Sequence, residues 1–282
     1  MVVITAAMVV FIAVAAFAID ITHANAVHEL VQHLQPDVMI NASAYTAVDQ
    51  AETDREQAFA INAKGVKHIA EAAKAVGARL LHVSTDFVFG NTSAVTLNGI
   101  APLLPQAPTN PVSVYGESKL AGEQYIQTIL PTNSIIVRTA WVYSVHGNNF
   151  VKTMLRLMAS KPSLGVIADQ IGTPTWAKGL ALWLWAMVAK PNIRGIYHWS
   201  DAGVASWYDF AIAIQQLALQ KGLLDQAIPI KALTTADYPT PAKRPSFSVL
   251  DKTYAQQVSG LEPTHWQVQL NAMLDDLKAV EK

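Results

Sequence analysis

The alternation of strand-like and helix-like segments is the feature that most constrains what this chain can fold into. Three apolar segments that end in small or polar residues are typical of strands, and they cover 37–44, 79–86 and 134–143. Residues 22–34 and about 54–76 carry apolar side chains at helical spacing, and Gly77 is placed to end the second helix. Short connections between alternating strands and helices produce right-handed βαβ units. The sequence therefore predicts an α/β fold with a doubly wound parallel sheet.

Composition excludes several classes of protein. The chain has 282 residues, of which 51% are hydrophobic, enough for one large domain or for one domain with a smaller lobe. The formal net charge is −1 and no basic stripe is present, so we expect no nucleic-acid partner. The lack of cysteine excludes disulfides and thiol nucleophiles. His23, His28 and His33 are five residues apart, not the three or four that place ligands on one helix face, so we predict no metal site.

The N-terminal residues 2–19 contain no charged side chain and have two interpretations. A membrane-spanning helix requires ~20 apolar residues, and this segment is just long enough. It lacks the positively charged start of a secretory signal, and the first lysine or arginine in the chain is Arg55. The other interpretation is a buried parallel strand rich in β-branched residues. We favour the strand and expect a cytoplasmic protein, with the membrane span as the alternative.

Beyond Gly147 the pattern changes, which indicates a smaller second lobe. Helices are predicted at about 149–159, at 177–188, and after Ser206, which with Asp209 can cap the helix that it opens. The helix over 177–188 is apolar nearly all round, so we predict that it is buried. We assign 1–147 and about 175–205 to a cofactor-binding domain, and about 148–174 and 206–282 to a substrate-binding lobe.

The segment Tyr115-Gly-Glu-Ser-Lys119 places a phenol and an ammonium one helical turn apart. Residues four apart on an α-helix share a face, with Cβ atoms ~5–6 Å apart. An ammonium at that distance favours the phenolate, so we expect Lys119 to lower the pKa of Tyr115 from its usual value of ~10. Such a tyrosine can donate its proton to a substrate oxygen near neutral pH. The spacing is common on solvated helices, so the interpretation depends on the surrounding residues.

Polar residues follow three of the predicted strands. They lie in Asn41-Ala-Ser-Ala-Tyr45, Ser84-Thr-Asp86 and Arg138-Thr-Ala-Trp141. Ligands of open parallel sheets bind outside the carboxyl ends of the strands, near the point where the strand order reverses. Each segment could instead cap the helix that follows it. Because all three meet near the helix of Tyr115, we favour a binding site.

These segments resemble a known family. Ser84-Thr-Asp86, Tyr115-x-x-x-Lys119 and Arg138-Thr-Ala-Trp-Val-Tyr143 are similar to the extended short-chain dehydrogenases and reductases. Four further segments resemble one branch of that superfamily, the dTDP-4-dehydrorhamnose reductases, and they cover 41–52, 147–156, 169–174 and 238–245. The resemblance runs from about Asp20 to the C-terminus. It implies a Rossmann-like sheet, a nicotinamide cofactor and a nucleotide-sugar substrate.

The resemblance also implies roles for individual residues. Tyr115 would protonate the C4 ketone oxygen of the sugar, Lys119 would bind the nicotinamide ribose, and Thr85 would hydrogen-bond the same ketone oxygen. Asp86 and Trp141 would line the sugar pocket. Besides Tyr115 and Lys119, the expected cofactor contacts are Asp20, Ile21, Ala42, Ala44, Tyr45, Thr46 and Val83.

Residues 238–245 form a proline-stiffened loop that carries two cations, Lys243 and Arg244. Three prolines exclude a helix or a central strand, and a stiff loop can present its cations rigidly to an anion. On charge and placement we expect Lys243 and Arg244 to bind the nucleotide diphosphate. The alternative is a surface loop with no ligand.

The family begins with a strand and a glycine-rich turn that holds the cofactor pyrophosphate, and this sequence departs from that pattern. No glycine precedes Gly65, and residues 9–14 resemble the second strand of the fold. We infer that the first strand, its phosphate loop and most of the first helix are missing. Residues 1–7 would then partly refill the empty place in the sheet or join a partner subunit in a homodimer. Ala15 and Ala16 stand where an acidic residue would favour NAD, so NADPH and NADH both remain candidates.

We therefore expect a reductase that acts on the C4 ketone of dTDP-4-dehydrorhamnose to give dTDP-L-rhamnose for cell-surface polysaccharide. A second interpretation is a non-catalytic homologue that keeps the pocket and has lost dinucleotide binding. A third, from a different class, is a protein anchored to the membrane through residues 2–19. The three differ in whether the purified chain binds NADPH and whether it needs detergent.

Overall fold

Strands and helices alternate along the chain in the computed structural model, which describes residues 2–8, 11–90, 95–96 and 99–280. In chain order the strands are β1 (Val2–Met8), β2 (Phe11–Phe17), β3 (Val38–Asn41), β4 (Arg79–Thr85), β5 (Val95–Thr96), β6 (Gly99–Ile100), β7 (Ser134–Thr139), β8 (Val142–Tyr143), β9 (Leu164–Ile167), β10 (Ile171–Gly172), β11 (Thr175–Trp176), β12 (Gly195–His198), β13 (Ala205–Ser206) and β14 (Ile230–Leu233). The α-helices are α1 (Ala24–Leu34), α2 (Val48–Ala51), α3 (Arg55–Phe59), α4 (Val66–Val76), α5 (Val114–Ile129), α6 (Phe150–Ser160), α7 (Ala177–Val188), α8 (Trp207–Lys221), α9 (Thr253–Ser259) and α10 (Trp266–Val280).

Six of these strands form the central sheet, in the order β12-β7-β4-β3-β1-β2. β3, β4, β7 and β12 are parallel neighbours, so their carboxyl ends lie at the same edge. Helices connect them, as right-handed crossover connections require. The predicted doubly wound, Rossmann-like parallel sheet is confirmed for this part of the chain.

Within the described part of the sheet, β1 is the strand that runs antiparallel to both of its neighbours, β2 and β3. Val2 pairs with Phe17 of β2 and with Asn41 of β3. Since Met8 pairs with Phe11, the connection between β1 and β2 is too short for a parallel crossover, and an antiparallel hairpin results. The prediction of a single buried parallel strand over residues 2–19 is therefore wrong. Among the described residues no helix is long and apolar enough to cross a membrane.

β1 lies between β2 and β3, in the place predicted for a missing first strand. The inference that residues 1–7 refill this place is confirmed for 2–7, while Met1 lies outside the described residues. The second strand predicted at 9–14 corresponds to β2, and Val9 and Val10 also lie outside the described residues. By pairing on both sides, β1 gives backbone partners to two strands that would otherwise be open edges.

Helices cover both faces of the sheet. On one face α1, α4 and α5 contribute Val31, Ile69 and Ile126 to the core. On the other face α7 and α9 contribute Trp183 and Ala255. The predicted helix end at Gly77 is confirmed, because Gly77 adopts the left-handed conformation (φ 73°) that ends α4.

The helix predicted over 54–76 is interrupted. It consists of α3, a π-helical segment at Ala60–Gly65, and α4. A π-helix inserts an extra residue into a helical turn and is frequent at functional sites. Here it turns the buried side chain of Asn62 toward the turn that follows β3 and toward α5.

A separate core lies in the C-terminal part of the chain, where α6, α8 and α10 pack around Met154, Phe210 and Leu274. The capping box predicted for α8 is confirmed, because Ser206 and Asp209 exchange side-chain and backbone hydrogen bonds. The prediction that α7 is wholly buried is wrong, since Leu182 is 59% exposed. α7 packs on the sheet with one side only.

We expect Gly122→Ala to destabilise the protein. A Cβ atom at Gly122 would lie 2.2 Å from the carbonyl oxygen of Asn62, so α5 and the π-helix would have to separate. Overpacking costs about 1–3 kcal/mol, more than the roughly 1 kcal/mol that alanine gains over glycine within a helix. Urea unfolding should show the loss, and Gln124→Ala, an exposed position on the same helix, should be near neutral. Equal stability of Gly122→Ala and the wild type would contradict this close contact.

Candidate active site

The carboxyl ends of β3 and β4 are joined to α5 by buried polar side chains. Asn41, the last residue of β3, places its Nδ2 atom 3.0 Å from Nδ1 of His82 in β4. Nζ of Lys119 on α5 lies 3.4 Å from Nε2 of the same histidine and donates to the carbonyl of Val83 at 2.8 Å. The structure thus brings Lys119 and Val83 together at the sheet edge where the sequence predicts a ligand.

Tyr115 lies in the first turn of α5, against the end of β4. The helix begins at Ser113, whose side chain accepts from the backbone N–H of Gly116. Gly116 permits a close approach, because a Cβ there would meet the carbonyl oxygen of Phe87 at 2.5 Å. The Tyr115 ring packs edge-on against Phe87, with centroids 5.3 Å apart. Its hydroxyl hydrogen-bonds the side chain of Thr85.

The expected lowering of the Tyr115 pKa by Lys119 is wrong for this structure. Burial raises the pKa of Tyr115 to about 12, although the hydrogen bond with Thr85 opposes the rise and the charge of Asp86 adds to it. Lys119 is itself buried, which lowers its pKa to about 8, and its nitrogen is committed to the Val83 carbonyl. Desolvation therefore outweighs the lysine charge. At neutral pH Tyr115 keeps its proton, which is the state that a proton donor needs.

Asp86 is a fully buried carboxyl beside Tyr115. The Thr85 hydroxyl donates to its Oδ1 atom at 3.0 Å and accepts from the backbone N–H of Phe87 at 3.2 Å. Ser248 lies beside the same carboxyl, yet Oδ2 makes no hydrogen bond of good geometry with any described residue. Burial raises the pKa of Asp86 to about 6, against hydrogen bonds from Ser248 and Thr85. A buried acceptor oxygen in this position can take a donor from a ligand or from water.

A buried ion pair fixes α5 to the sheet. Both carboxylate oxygens of Glu123 accept from Arg138 of β7, the shorter contact being 2.6 Å, and the two side chains are 0% and 3% exposed. Ser84 of β4 donates to the same carboxylate at 2.5 Å. Arg138 also donates to the carbonyl of Pro105 at 3.0 Å. Because four segments share this pair, the position of α5 relative to β4 and β7 is tightly set.

Asn62 connects the turn after β3 with α5. Its Oδ1 atom accepts from the backbone N–H of Tyr45 at 2.8 Å, and its Nδ2 atom donates to the Tyr45 carbonyl and to Ser118. Ser118 adjoins Lys119, so the predicted cofactor turn at Ala44–Thr46 and the Tyr115–Lys119 segment are held together. Ala42 precedes this turn and is exposed, together with Thr46.

Trp141 forms an aromatic wall at the end of β7. Its ring stacks on Trp207 of α8, with centroids 3.6 Å apart and planes within 10°. Its backbone is left-handed (φ 49°), an unusual conformation for a bulky residue that breaks the predicted strand 134–143 into β7 and β8. Gly172 leaves room for the ring, since a Cβ there would come within 2.8 Å of it.

The remaining predicted site residues lie further out. Asp20 is exposed and accepts from Thr22, whereas Ile21 is buried with its side chain against Gly65. Lys243 is exposed. Arg244 is paired instead with Asp49, as described below, so that of the two predicted cations only Lys243 extends into solvent.

Arg244 makes a two-pronged contact with Asp49 of α2. Nη1 donates to Oδ1 at 3.0 Å and Nη2 to Oδ2 at 2.6 Å. Nη1 also donates to the Thr240 hydroxyl and to the Ala242 carbonyl, and Ala242 N–H donates to Asp49. We call this set the Asp49–Arg244 clamp. It ties the proline-rich loop to the segment that follows β3.

Comparison with known proteins agrees with this geometry. The family model described as RmlD substrate binding domain matches residues 3–279. A dTDP-4-dehydrorhamnose reductase of Aggregatibacter actinomycetemcomitans is 43% identical over 254 residues, which is 88% of this chain and 84% of that protein. The chain belongs to the dTDP-4-dehydrorhamnose reductase family.

Solved structures of this reductase family have the same fold. The dTDP-4-dehydrorhamnose reductase of Clostridium acetobutylicum superimposes with a TM-score of 0.83 at 38% identity, covering 92% of this chain and 88% of that one. The Bacillus anthracis reductase, solved in complex with NADP, gives a TM-score of 0.82 at 33% identity, with 92% and 87% covered.

The reductase family implies a nicotinamide cofactor, and the described residues fit one half of it. Lys119 is a buried cation that donates to a single carbonyl, so it keeps N–H groups for ribose hydroxyls beside Tyr115. The diphosphate half is built differently from the family pattern. In the family pattern a glycine-rich turn follows the first strand at the carboxyl edge of the sheet. Here β1 runs antiparallel to β3, so its amino end lies at that edge and Val2 pairs with Asn41.

Three residues of the site were not singled out by sequence reasoning: Asn62, His82 and Glu123. Glu123 carries a visible signal, since it lies four residues after Lys119 on the same helix face. His82 interrupts an otherwise apolar strand, which marks it as a buried polar residue in need of a partner. Asn62 depends on the π-helix, and the sequence carries no signal for that segment.

We expect Asp86→Asn to stabilise the protein at neutral pH. The folded state holds the Asp86 pKa at about 6, above its usual value of about 3.8, so folding favours the protonated acid and the free energy of unfolding falls as pH rises from about 4 to 6. At ~1.36 kcal/mol per pKa unit the loss approaches about 3 kcal/mol, and an amide avoids it. Urea unfolding at pH 4 and pH 7.5 should show this gain at the higher pH only. Asp225→Asn, at an exposed carboxylate, should show none; an equal effect of both variants would refute the assignment.

Proposed function

We propose that this chain reduces the C4 ketone of dTDP-4-dehydro-6-deoxy-L-mannose (dTDP-4-dehydrorhamnose) to dTDP-L-rhamnose, with NADPH as the favoured cofactor and NADH as the alternative. The observation that carries the proposal is the buried, protonated Tyr115 beside Thr85, with Lys119 one helical turn away. Membership of the reductase family supplies the substrate class. The NADP complex of the Bacillus anthracis relative supports the choice of cofactor.

In this proposal Tyr115 donates its hydroxyl proton to the ketone oxygen. Its raised pKa keeps the proton in place at neutral pH until a developing alkoxide accepts it. Thr85, whose hydroxyl donates to Oδ1 of Asp86 in this structure, turns its hydroxyl to the same oxygen when the ketone enters. Asp86 then accepts a sugar hydroxyl through Oδ2. Trp141 closes the pocket with an apolar wall.

The cofactor would lie along the carboxyl edge of the sheet. When bound, the reduced nicotinamide supplies the hydride for C4. Lys119 binds its ribose, Val83 lines the nicotinamide side, and Ala42, Ala44, Tyr45 and Thr46 form the adjoining turn. Asp20 and Ile21 contact the adenosine half. Burial of Lys119 and Tyr115 excludes water from the place where the proton is transferred.

The nucleotide would lie under the proline-rich loop. Lys243 is exposed there and is the proposed partner of the diphosphate, while Arg244 reaches it only by leaving Asp49. We propose the same division as above: 1–147 with about 175–205 binds the cofactor, and about 148–174 with 206–282 binds the substrate. The separate core around Phe210 supports this division. We further propose that the protein acts in the cytoplasm and as a homodimer.

A second candidate function is a non-catalytic homologue that binds the nucleotide sugar alone. This candidate would follow if the amino end of the antiparallel β1, which lies beside the carboxyl end of β3, did not hold the diphosphate half of the cofactor. The two candidates differ in dinucleotide binding, which is measurable directly.

Tyr115→Phe removes the proton donor and keeps the ring against Phe87. We expect turnover to fall by about 10²–10⁴-fold, the range typical of general acid catalysis, with little change in substrate affinity. NADPH absorbance during turnover measures the first quantity and calorimetry the second. Tyr125→Phe, at an exposed tyrosine on the same helix, is the matched control and should retain full activity. Turnover of Tyr115→Phe within a few-fold of wild type would contradict the assignment.

Titration of the full chain with NADPH should show saturable binding. Lys119→Met should weaken it, because the ammonium that would meet the ribose is lost while the aliphatic packing is kept. Isothermal titration with NADPH and NADH in parallel measures both affinities and the preference between them. If neither dinucleotide binds while the nucleotide sugar does, the reductase proposal fails and the non-catalytic homologue takes its place.

A further inference from the structure

A buried row of hydrogen-bonding groups connects the turn after β3 with the lysine of the proposed active site. Ser43 contacts Asn41, Asn41 contacts His82, and His82 faces Lys119. Asn41 and His82 are fully buried, and Lys119 is 2% exposed. Such a row has one consistent arrangement of protons, because each member limits the next.

The orientation of the Asn41 amide is fixed by a backbone group. The N–H of Ser43 can only donate, and it lies 3.0 Å from Oδ1 of Asn41. The Ser43 hydroxyl donates to the same oxygen at 2.6 Å. Oδ1 is therefore the atom on the Ser43 side, and the NH₂ group is the atom that points at His82.

The tautomer of His82 follows from this orientation. An amide NH₂ group has no lone pair to offer, so Nδ1 of His82, 3.0 Å away, must be the acceptor. A ring nitrogen that accepts carries no proton, which excludes the doubly protonated imidazolium. The neutral ring then has its proton on Nε2, the nitrogen that faces Nζ of Lys119 at 3.4 Å.

We propose that His82 is a positioning residue for Lys119: Asn41 fixes the ring proton on Nε2, and this N–H, directed at Nζ, favours the uncharged amine over the ammonium. The inference rests on the proposed function only for its catalytic consequence. An ammonium has no lone pair to accept the N–H, whereas a free amine accepts it and still donates to the Val83 carbonyl. The lysine is thereby set close to the point where its charge changes.

The other groups around Lys119 act in opposite directions. Burial lowers the pKa of Lys119 to about 8, and Glu123 on the same helix raises it. The charge of Glu123 is shared with Arg138 and Ser84, which weakens its pull on the lysine. Tyr115, one turn earlier, stays neutral across this range. His82 is thus the polar side chain nearest to Nζ whose proton position decides which charge state of the lysine is favoured.

The first test is the tautomer itself, measured on the full chain by NMR of the ring nitrogens of ¹⁵N-labelled histidine. We expect an unprotonated Nδ1 and a protonated Nε2 in His82 from pH 6 to pH 8. Asn41→Asp places an acceptor opposite Nδ1 and should move the proton to that nitrogen. A wild-type His82 with its proton on Nδ1 overturns the proposal, whatever the activity of the chain.

The second test is the charge of Lys119, followed by NMR of its ε-carbon and assigned by loss of the signal in Lys119→Arg. Removal of the N–H in His82→Leu should raise the titration midpoint by about one pH unit. His82→Gln should leave the midpoint close to wild type, because its amide can accept from Asn41 and donate to Lys119. A merely structural role would change the melting temperature of both variants and the midpoint of neither, which would refute the proposal.

A third measurement links the charge to catalysis. If the chain is a reductase, the pH at which its activity falls on the alkaline side should be higher in His82→Leu, by the same amount as the lysine midpoint. In the control His28→Gln, on α1, this pH should be unchanged. If the wild-type chain shows no reductase activity, the two NMR measurements still decide the role of His82. Failure of the proposed function and failure of this inference are therefore distinguishable.

Discussion

The buried ion pair between Glu123 and Arg138 is the interaction on which the rest of the site depends. Removal of one partner from such a pair typically costs about 3–5 kcal/mol, because the other charge is left buried. Here the pair also binds Ser84 and the Pro105 carbonyl, so it fixes four segments at one point. Tyr115 lies two helical turns before Glu123 on the same helix, so the ion pair also sets the position of Tyr115. The position of α5 and of Tyr115 is thus set by a buried ion pair at the carboxyl edge of the sheet.

The positions of the site residues could be predicted from the sequence better than the burial and the charges around them. The spacing of Tyr115 and Lys119, and the polar residues after the strands, sufficed to predict that these residues meet at the carboxyl edge of the sheet, because strand ends and helix faces follow from local periodicity. The pKa of Tyr115 could not be predicted in this way. Its direction depends on how completely the phenol is buried, and burial is created by Phe87 and by α5 packing against β4. The partner of Arg244 was likewise beyond local patterns, since Asp49 precedes it by 195 residues.

The N-terminal hairpin shows the same limit for the fold. Composition predicted a strand over the first residues but could not give its direction, because an apolar segment has the same composition in a parallel and in an antiparallel strand. Direction is decided by the length of the connection, and Met8 and Phe11 pair too closely for a crossover. The resulting sheet has six strands, and the amino end of β1 lies beside the carboxyl end of β3.

The Asp49–Arg244 clamp makes the positions of the proline-rich loop and of α2 depend on each other. As a partly exposed pair it is worth roughly 0.2–1 kcal/mol, so its value for stability is small. Its effect is geometric: two parallel hydrogen bonds hold the loop of Lys243 in one orientation to the segment after β3. A change in the proposed nucleotide loop would therefore also shift α2 and the proposed cofactor turn before it, because Arg244 and Asp49 join the two segments.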